Sequence, residues 1–258
     1  VKISAVVTSF NSAETLARCL QSLQFCDEII LLDSHSSDSS TEIAKASGAQ
    51  VHAQTFTSFT AQKSAVIALA SHPWVLLLDS DEWLAKGADV IVRAAISQTE
   101  IAGYRLPRRE RIFWRYAHAG TRSNDFLRLF LREQIQMSNH AVHESPVLTS
   151  GKTAKLPALI WHNGERSIEL KASKLNQYSS LALKDWKKQK HTSALRLTLY
   201  PIWYFFRAYV LKRQFLNGWA GYINAVELAH YAFLKYAKRH EALQAPIVDP
   251  EPASITKP

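Results

Sequence analysis

Glycine and cysteine are scarce: eight and two in 258 residues. So little glycine beside an ordinary apolar content excludes collagen-like and low-complexity chains. No strand pattern leads into a glycine-rich phosphate loop, which argues against an ordinary dinucleotide-binding fold. Cys19 and Cys26 form neither a metal pattern nor a disulfide framework. Cys19 falls on the apolar face of a helical repeat, so a buried free thiol is expected, as suits a reducing compartment. No apolar run reaches the ~20 residues of a membrane span. The first residues read as a strand rather than a secretory signal. A chain of this length can bury a sizeable core, enough for one large domain or a domain with an appendage.

What is present centres on Trp74-Val75-Leu76-Leu77-Leu78-Asp79-Ser80-Asp81-Glu82. An unbroken apolar run that ends in acids reads as a strand buried on both faces of a parallel sheet. Ligands of open α/β sheets bind outside the carboxyl ends of such strands. Two carboxylates one residue apart repel unless a cation lies beside them. Mg2+ commonly uses one or two carboxylates together with substrate phosphates. The stretch therefore suits a metal–diphosphate, with a solvated acidic turn as the plainer alternative.

Earlier segments alternate in kind. Strand patterns at Ile3–Val7, Glu28–Leu32 and Ala49–Ala53 alternate with helical ones from Asn11, over Thr41–Ser47 and over Phe59–Ala70. Asn11 followed by Glu14 resembles a capping box. Leu16, Cys19, Leu20 and Leu23 mark one helical face. This β-α-β-α-β-α-β order predicts a parallel sheet with helices on both faces. Asp33 also ends a strand; a hydrogen bond to a base or ribose and a turn-stabilising role are the two readings of it.

Together, Ile3–Asn11, Asp27–Asp38 and Asp79–Glu82 resemble the inverting family 2 glycosyltransferases of the GT-A fold. Ala61-Gln62-Lys63 before the Trp74–Glu82 stretch resembles the branch containing lipopolysaccharide-core glucosyltransferases. Arg128-Leu129-Phe130 and Val142-His143-Glu144 extend the match to about residue 165. The resemblance implies a Rossmann-like, mostly parallel sheet binding a UDP-sugar, with UDP-glucose the leading donor. Thr8, Asn11, Glu14, Asp33, Gln62, Lys63 and Asp79 would contact the nucleotide-sugar. Asp81, with a late histidine at His162, would hold Mg2+ or Mn2+. Glu144 is the first choice for the base that deprotonates the acceptor hydroxyl, and Asp125 the second. Ser80 stands where alanine is frequent, and His35 where glycine is usual.

The expected organisation is a catalytic domain over 1–165, split into a donor half (1–100) and an acceptor half (101–165). A helical appendage follows over 166–244, then a proline-rich tail over 245–258. In the acceptor half, strand-like patches at 103–106, 126–131 and 156–161 run among arginines and the aromatics Phe113, Trp114 and Tyr116. The appendage is expected as helices over 168–186 and 215–236, the second broken near Gly218 and Gly221. Between them lies the aromatic, basic stretch 195–211. The net charge of +9 gathers in these two regions. Basic surfaces attract phosphorylated substrates, anionic lipids or nucleic acid, and no nucleic-acid reader motif is present. The appendage suits the interface of an anionic membrane, with packing on the catalytic domain or a second copy in a homo-oligomer as the competing use. The whole reads as a peripheral enzyme on the cytoplasmic face of the membrane. Its acceptor would be a lipid-linked or lipopolysaccharide-core saccharide. A metal-dependent nucleotidyltransferase and a non-enzymatic nucleotide-sugar-binding membrane module are the rival readings.

Overall fold

The computed structural model of the protein describes residues 1–98, 100–138, 145–185 and 194–244. Its first segment alternates β1 (Ile3–Ser9), α1 (Ala13–Ser22), β2 (Glu28–Asp33), α2 (Ser40–Ala46), β3 (Gln50–Ala53), α3 (Phe59–Ala68) and β4 (Trp74–Asp79). The four strands lie in the order β3-β2-β1-β4, all parallel. Trp74 to Leu78 are at most 3% exposed, because successive side chains serve opposite faces. Leu76 and Leu78 pack with Leu16, Leu20 and Leu23 of the α1 side. Val75 and Leu77 pack with Val66 and Ile67 of α3. Each buried leucine contributes roughly 1.5–3 kcal/mol, so a polar residue within this run would forfeit that much and leave its own polar group buried. Cys19 is a buried free thiol in the first of these cores.

The remaining strands are β5 (Glu82–Leu84), β6 (Ile101–Ile112), β7 (Arg115–Tyr116), β8 (Asp125–Leu131), β9 (Ile135–Met137), β10 (Pro146–Leu148), β11 (Lys152–Lys155) and β12 (Ile160–Glu165), with α4 (Ala88–Ala95) between β5 and β6. The sheet continues from β4 as β8-β6-β12-β5. β8 runs antiparallel to both β4 and β6, while β12 is parallel to β6. The sheet is therefore mostly parallel with an antiparallel insert. Its register sets Thr8 abreast of Asp79, Ser9 abreast of Asp33, and His162 beside both Glu82 and Glu110.

Two of the expected strand patches lie within β6 and β8. The third is displaced: residues 156–159 fall between strands, and the ladder resumes at Ile160 and runs to Glu165. Pro157, which lacks an N–H, sits in the gap. The expected capping box is also absent. Ser12 is the N-cap of α1 and makes no side-chain cap. Asn11 adopts φ 47° and accepts a hydrogen bond from Ser37 N at 2.9 Å, while Glu14 pairs with Arg166.

Three helices follow: α5 (Ile168–Asp185), α6 (Ala194–Phe206), which widens into a π turn over Arg207–Leu211, and α7 (Gly218–Glu241). α7 packs on both α5 and α6. The break expected near Gly218 and Gly221 does not occur within the helix; Gly218 starts α7 and Gly221 continues it. A Cβ on Gly221 would lie 1.9 Å from the carbonyl oxygen of Gln214, so glycine here allows close backbone approach. Among the described residues, no helix is long and apolar enough to cross a membrane.

Candidate functional site

Parallel strands that start together also end together, so the carboxyl ends of β1, β2 and β4 gather Thr8, Asp33 and Asp79 on one rim. Asp33 is 1% exposed and turned into its own loop, accepting from Ser36 N at 2.7 Å and Ser36 Oγ at 2.6 Å. These bonds brace the start of the 34–40 loop. His35 in that loop adopts φ 61°, the left-handed conformation glycine takes without strain. Ser80 shares a 2.7 Å hydrogen bond with Ser12, tying the turn after β4 to the loop after β1; alanine could not make it.

Gln62 and Lys63 reach the rim from α3. Gln62 Nε2 donates to Ser34 Oγ and to the Gln54 carbonyl, while among the described residues its buried Oε1 has no hydrogen-bond partner. Ser9 Oγ is likewise buried without one. Lys63 Nζ lies 3.0 Å from Asp79 Oδ1.

From Asp79 a chain of alternating charge runs inward. Arg128 bridges Asp79 Oδ2 and Glu82 Oε1, each at 2.8 Å. Arg108 bridges Glu82 and Glu110, each at 2.7 Å. Glu110 binds Nδ1 of His162, whose Nε2 lies 3.2 Å from Asp81 Oδ2. Glu82 is fully buried, and a buried carboxylate persists only where such partners offset lost hydration. Burial alone would raise Asp79, but the charges of Arg128 and Lys63 hold its carboxyl far below the usual range. Burial also opposes ionisation of Asp81 and Glu110, and His162 brings both below the ordinary value. His162 is disfavoured as a cation by burial, yet its bonds to Asp81 and Glu110 push it up to about 10.

A cleft of about 880 Å³ opens beside this chain, lined by Lys63, Asp79, Arg108, Asp125 and Arg128 among others. Asp125 lies there with Oδ2 2.7 Å from Lys155 Nζ. Of the expected donor contacts, Lys63 and Asp79 line the cleft; Thr8, Asn11, Glu14, Asp33 and Gln62 are not in its lining. Glu14 is held on the exposed first turn of α1 by Arg166. Glu144, with its neighbours Val142 and His143, lies outside the described residues.

Asp81 and His162 form the one expected metal pair that the fold brings together. Among the described residues no three His, Cys, Asp or Glu side chains form a complete cage. The donor set fits a cation completed by phosphate oxygens, provided that the incoming cation displaces the proton on His162 Nε2 that now faces Asp81. Ligands 3.2 Å apart suit adjacent positions of an octahedral ion with bonds of about 2.0–2.1 Å. Glu110 on the far ring nitrogen is the kind of partner that orients a ligating histidine. Sequence reading assigned no role to Glu82, Arg108, Glu110 or Arg128. One signal was available: Arg128 interrupts the apolar run Phe126–Phe130 in a strand, where a buried charge demands partners.

A family model described as glycosyl transferase family 2 matches residues 4–147. An uncharacterized glycosyltransferase of Rickettsia felis is 31% identical over 94% of this chain and 90% of its own. The lipopolysaccharide core biosynthesis glycosyltransferase LpsC of Rhizobium meliloti is 27% identical over 96% of each chain. The crystal structure of S. aureus TarS aligns with 91% of this chain and 55% of its own at 13% identity and a TM-score of 0.48, a likeness too loose to bear on function.

Proposed function

The chain belongs to glycosyl transferase family 2, and from that premise we propose that it transfers a sugar from a UDP-sugar, with inversion, to a lipid-linked or lipopolysaccharide-core saccharide. The observation that carries the reading is the Asp81–His162 pair, oriented by Glu110 at the rim where Asp79 and Lys63 face a cleft. Asp81 and His162 would hold Mg2+ or Mn2+, which as a Lewis acid would offset charge developing on the departing diphosphate. The unpartnered Ser9 Oγ and Gln62 Oε1 are consistent with a polar ligand at the same rim.

Lys63 and Arg128 hold Asp79 ionised, so it can accept hydrogen bonds from ribose or sugar hydroxyls without first losing a proton. The acceptor hydroxyl must pass its proton to a carboxylate on the attacking side. Glu144 is the candidate carried by the motif resemblance. Asp125 is the one the cleft supports, because it shares that cavity with Asp79. A single in-line displacement of the diphosphate by the acceptor oxygen would invert the anomeric carbon. Similarity to LpsC supports a lipopolysaccharide-core acceptor; glucose as the sugar rests on the motif resemblance.

The appendage suits work at a membrane surface. Ile202 and Trp219 are 66% and 76% exposed, with Trp203 and Phe206 also outward and Arg213 nearby on the same segment. Aromatic rings favour the lipid–water interface. The activity is tested by incubating the protein with a panel of UDP-sugars, Mn2+ and rough-type lipopolysaccharide. Release of UDP that chelator abolishes is the expected result. Release of pyrophosphate would indicate a nucleotidyltransferase instead, and full turnover in excess chelator would overturn the metal assignment.

A further inference from the structure

A second cavity, of about 770 Å³, lies between the sheet and the C-terminal helices. It shares Arg108, Ser123, Asn124 and Phe126 with the cleft beside Asp79, so the two spaces adjoin. Its walls carry seven Arg or Lys side chains and only two carboxylates, Glu110 and Glu165. Most of these cations have partners. Arg108 is paired with Glu82 and Glu110. Arg111 donates to Asn163 and the Phe113 carbonyl. Lys171 donates to Asn224, and Lys212 to Asn124 at 2.8 Å. Arg109 stacks on Trp161.

Arg122 and Arg207 differ. Both are exposed and both line the cavity, and among the described residues neither guanidinium has a hydrogen bond or an ion pair. They come from different elements, Arg122 from the loop after β7 and Arg207 from the end of α6. The two segments are joined where Arg122 N donates to the Lys212 carbonyl at 3.1 Å. Cationic side chains facing one cavity repel each other, and an anion between them reverses the sign of that interaction. Guanidinium groups bind phosphate oxygens in bidentate pairs. Tyr204 supplies a ring in the same wall, and His162 stands in it as well. A molecule filling the cavity would therefore meet His162 of the candidate cation pair and the two arginines together.

We propose that this cavity seats the acceptor, and that the acceptor is a saccharide carrying a phosphate monoester, held by Arg122 and Arg207 with Lys212 beside them. This rests on the glycosyltransferase reading above. The donor's diphosphate is the other anion that could enter, and a carboxylated sugar would use similar contacts; the test separates these sources.

The intact protein is titrated with mannose 6-phosphate, mannose and glucuronate, with and without saturating UDP and Mn2+. Mannose 6-phosphate should bind in both conditions, glucuronate more weakly, and mannose not measurably. The double variant Arg122→Gln/Arg207→Gln should weaken mannose 6-phosphate by about tenfold or more, corresponding to the loss of charge-assisted hydrogen bonds, while UDP affinity and the unfolding midpoint stay unchanged. Equal binding by wild type and variant overturns the inference, as does displacement of mannose 6-phosphate by UDP, equal affinity for mannose or glucuronate, or no binding of the phosphosugar. UDP titration reports separately on the donor reading. A protein that ignores UDP but binds the phosphosugar through these arginines would lose that reading and keep the anion site.

Discussion

The two basic regions of this molecule use positive charge in opposite ways. At the rim of the sheet, Lys63, Arg108 and Arg128 each face a carboxylate within about hydrogen-bond distance. In the cavity under the C-terminal helices, Arg122 and Arg207 form no ion pair among the described residues. The first arrangement is internally balanced: Asp79, Glu82 and Glu110 alternate with Lys63, Arg128 and Arg108. It fixes the shape of a site before any ligand arrives. The second arrangement is balanced only by something from outside. Net charge, which counts both kinds alike, does not distinguish a charge that builds a site from one that waits for a ligand.

The contrast is broken most severely at Arg128. Arg128→Met would leave Glu82 fully buried with half of its pairing, and a buried charge stripped of a partner costs about 3–5 kcal/mol. Urea unfolding should show that loss for Arg128→Met and no shift of midpoint for Arg207→Gln. Equal midpoints for the two variants would erase the distinction. The same pair predicts a pH effect. The folded-state pKa of Asp79 is depressed below its unfolded value, so its contribution is present above the ordinary carboxylate range and is lost as pH falls through the folded value. The acid limb of the stability profile should be shallower in Arg128→Met than in the wild type.

Asp125 stands between the two cases, since its partner Lys155 is 82% exposed and free to leave. If Asp125 is the base, Asp125→Asn should lower kcat by about 10²–10⁴-fold with little change in UDP affinity. If Glu144→Gln produces that loss and Asp125→Asn does not, the base is Glu144.

Glu110 sharpens the comparison more gently. Glu110→Gln keeps the shape of the pair but weakens its hold on His162, and loss of such a partner typically lowers metal affinity about 10–100-fold. Mn2+ titration of the UDP complex would measure it; unchanged affinity would remove Glu110 from the support of the metal pair.

The smallest effect concerns the outer face of the appendage. Trp203→Ser and Trp219→Ser should reduce co-sedimentation with anionic vesicles, each by a few-fold, as expected for losing part of an interfacial aromatic contact. Arg207 and Lys212 face the second cavity, so neutralising them should matter less for vesicle binding than neutralising Arg213. Unaltered sedimentation of both tryptophan variants would point to a packing or oligomer surface instead.

Local pattern was a good guide where one element sufficed. The apolar run before Asp79 predicted a strand buried on both faces, and the alternation before it predicted the parallel order of β1 to β4. Pattern misled where a competing contact decided the outcome. The capping box at Asn11 and Glu14 lost to the bonds these residues make with Ser37 and Arg166. The strand expected over 156–161 was displaced at Pro157, and the break expected at Gly221 proved to be a close backbone contact with Gln214.

By itself, then, the amino-acid order determined the first four strands: β-α alternation is a matter of neighbouring residues, and carboxylates placed just after buried strands must collect on one rim of a parallel sheet. The tertiary structure decided what those carboxylates face. β12 lies parallel to β6 and antiparallel to β5, which brings His162 to Glu110 and Glu82 and within 3.2 Å of Asp81. It also decided that Arg122 and Arg207 share a cavity. Such pairings depend on which distant strand or helix gains most from burying the same surface, and no local periodicity records that choice.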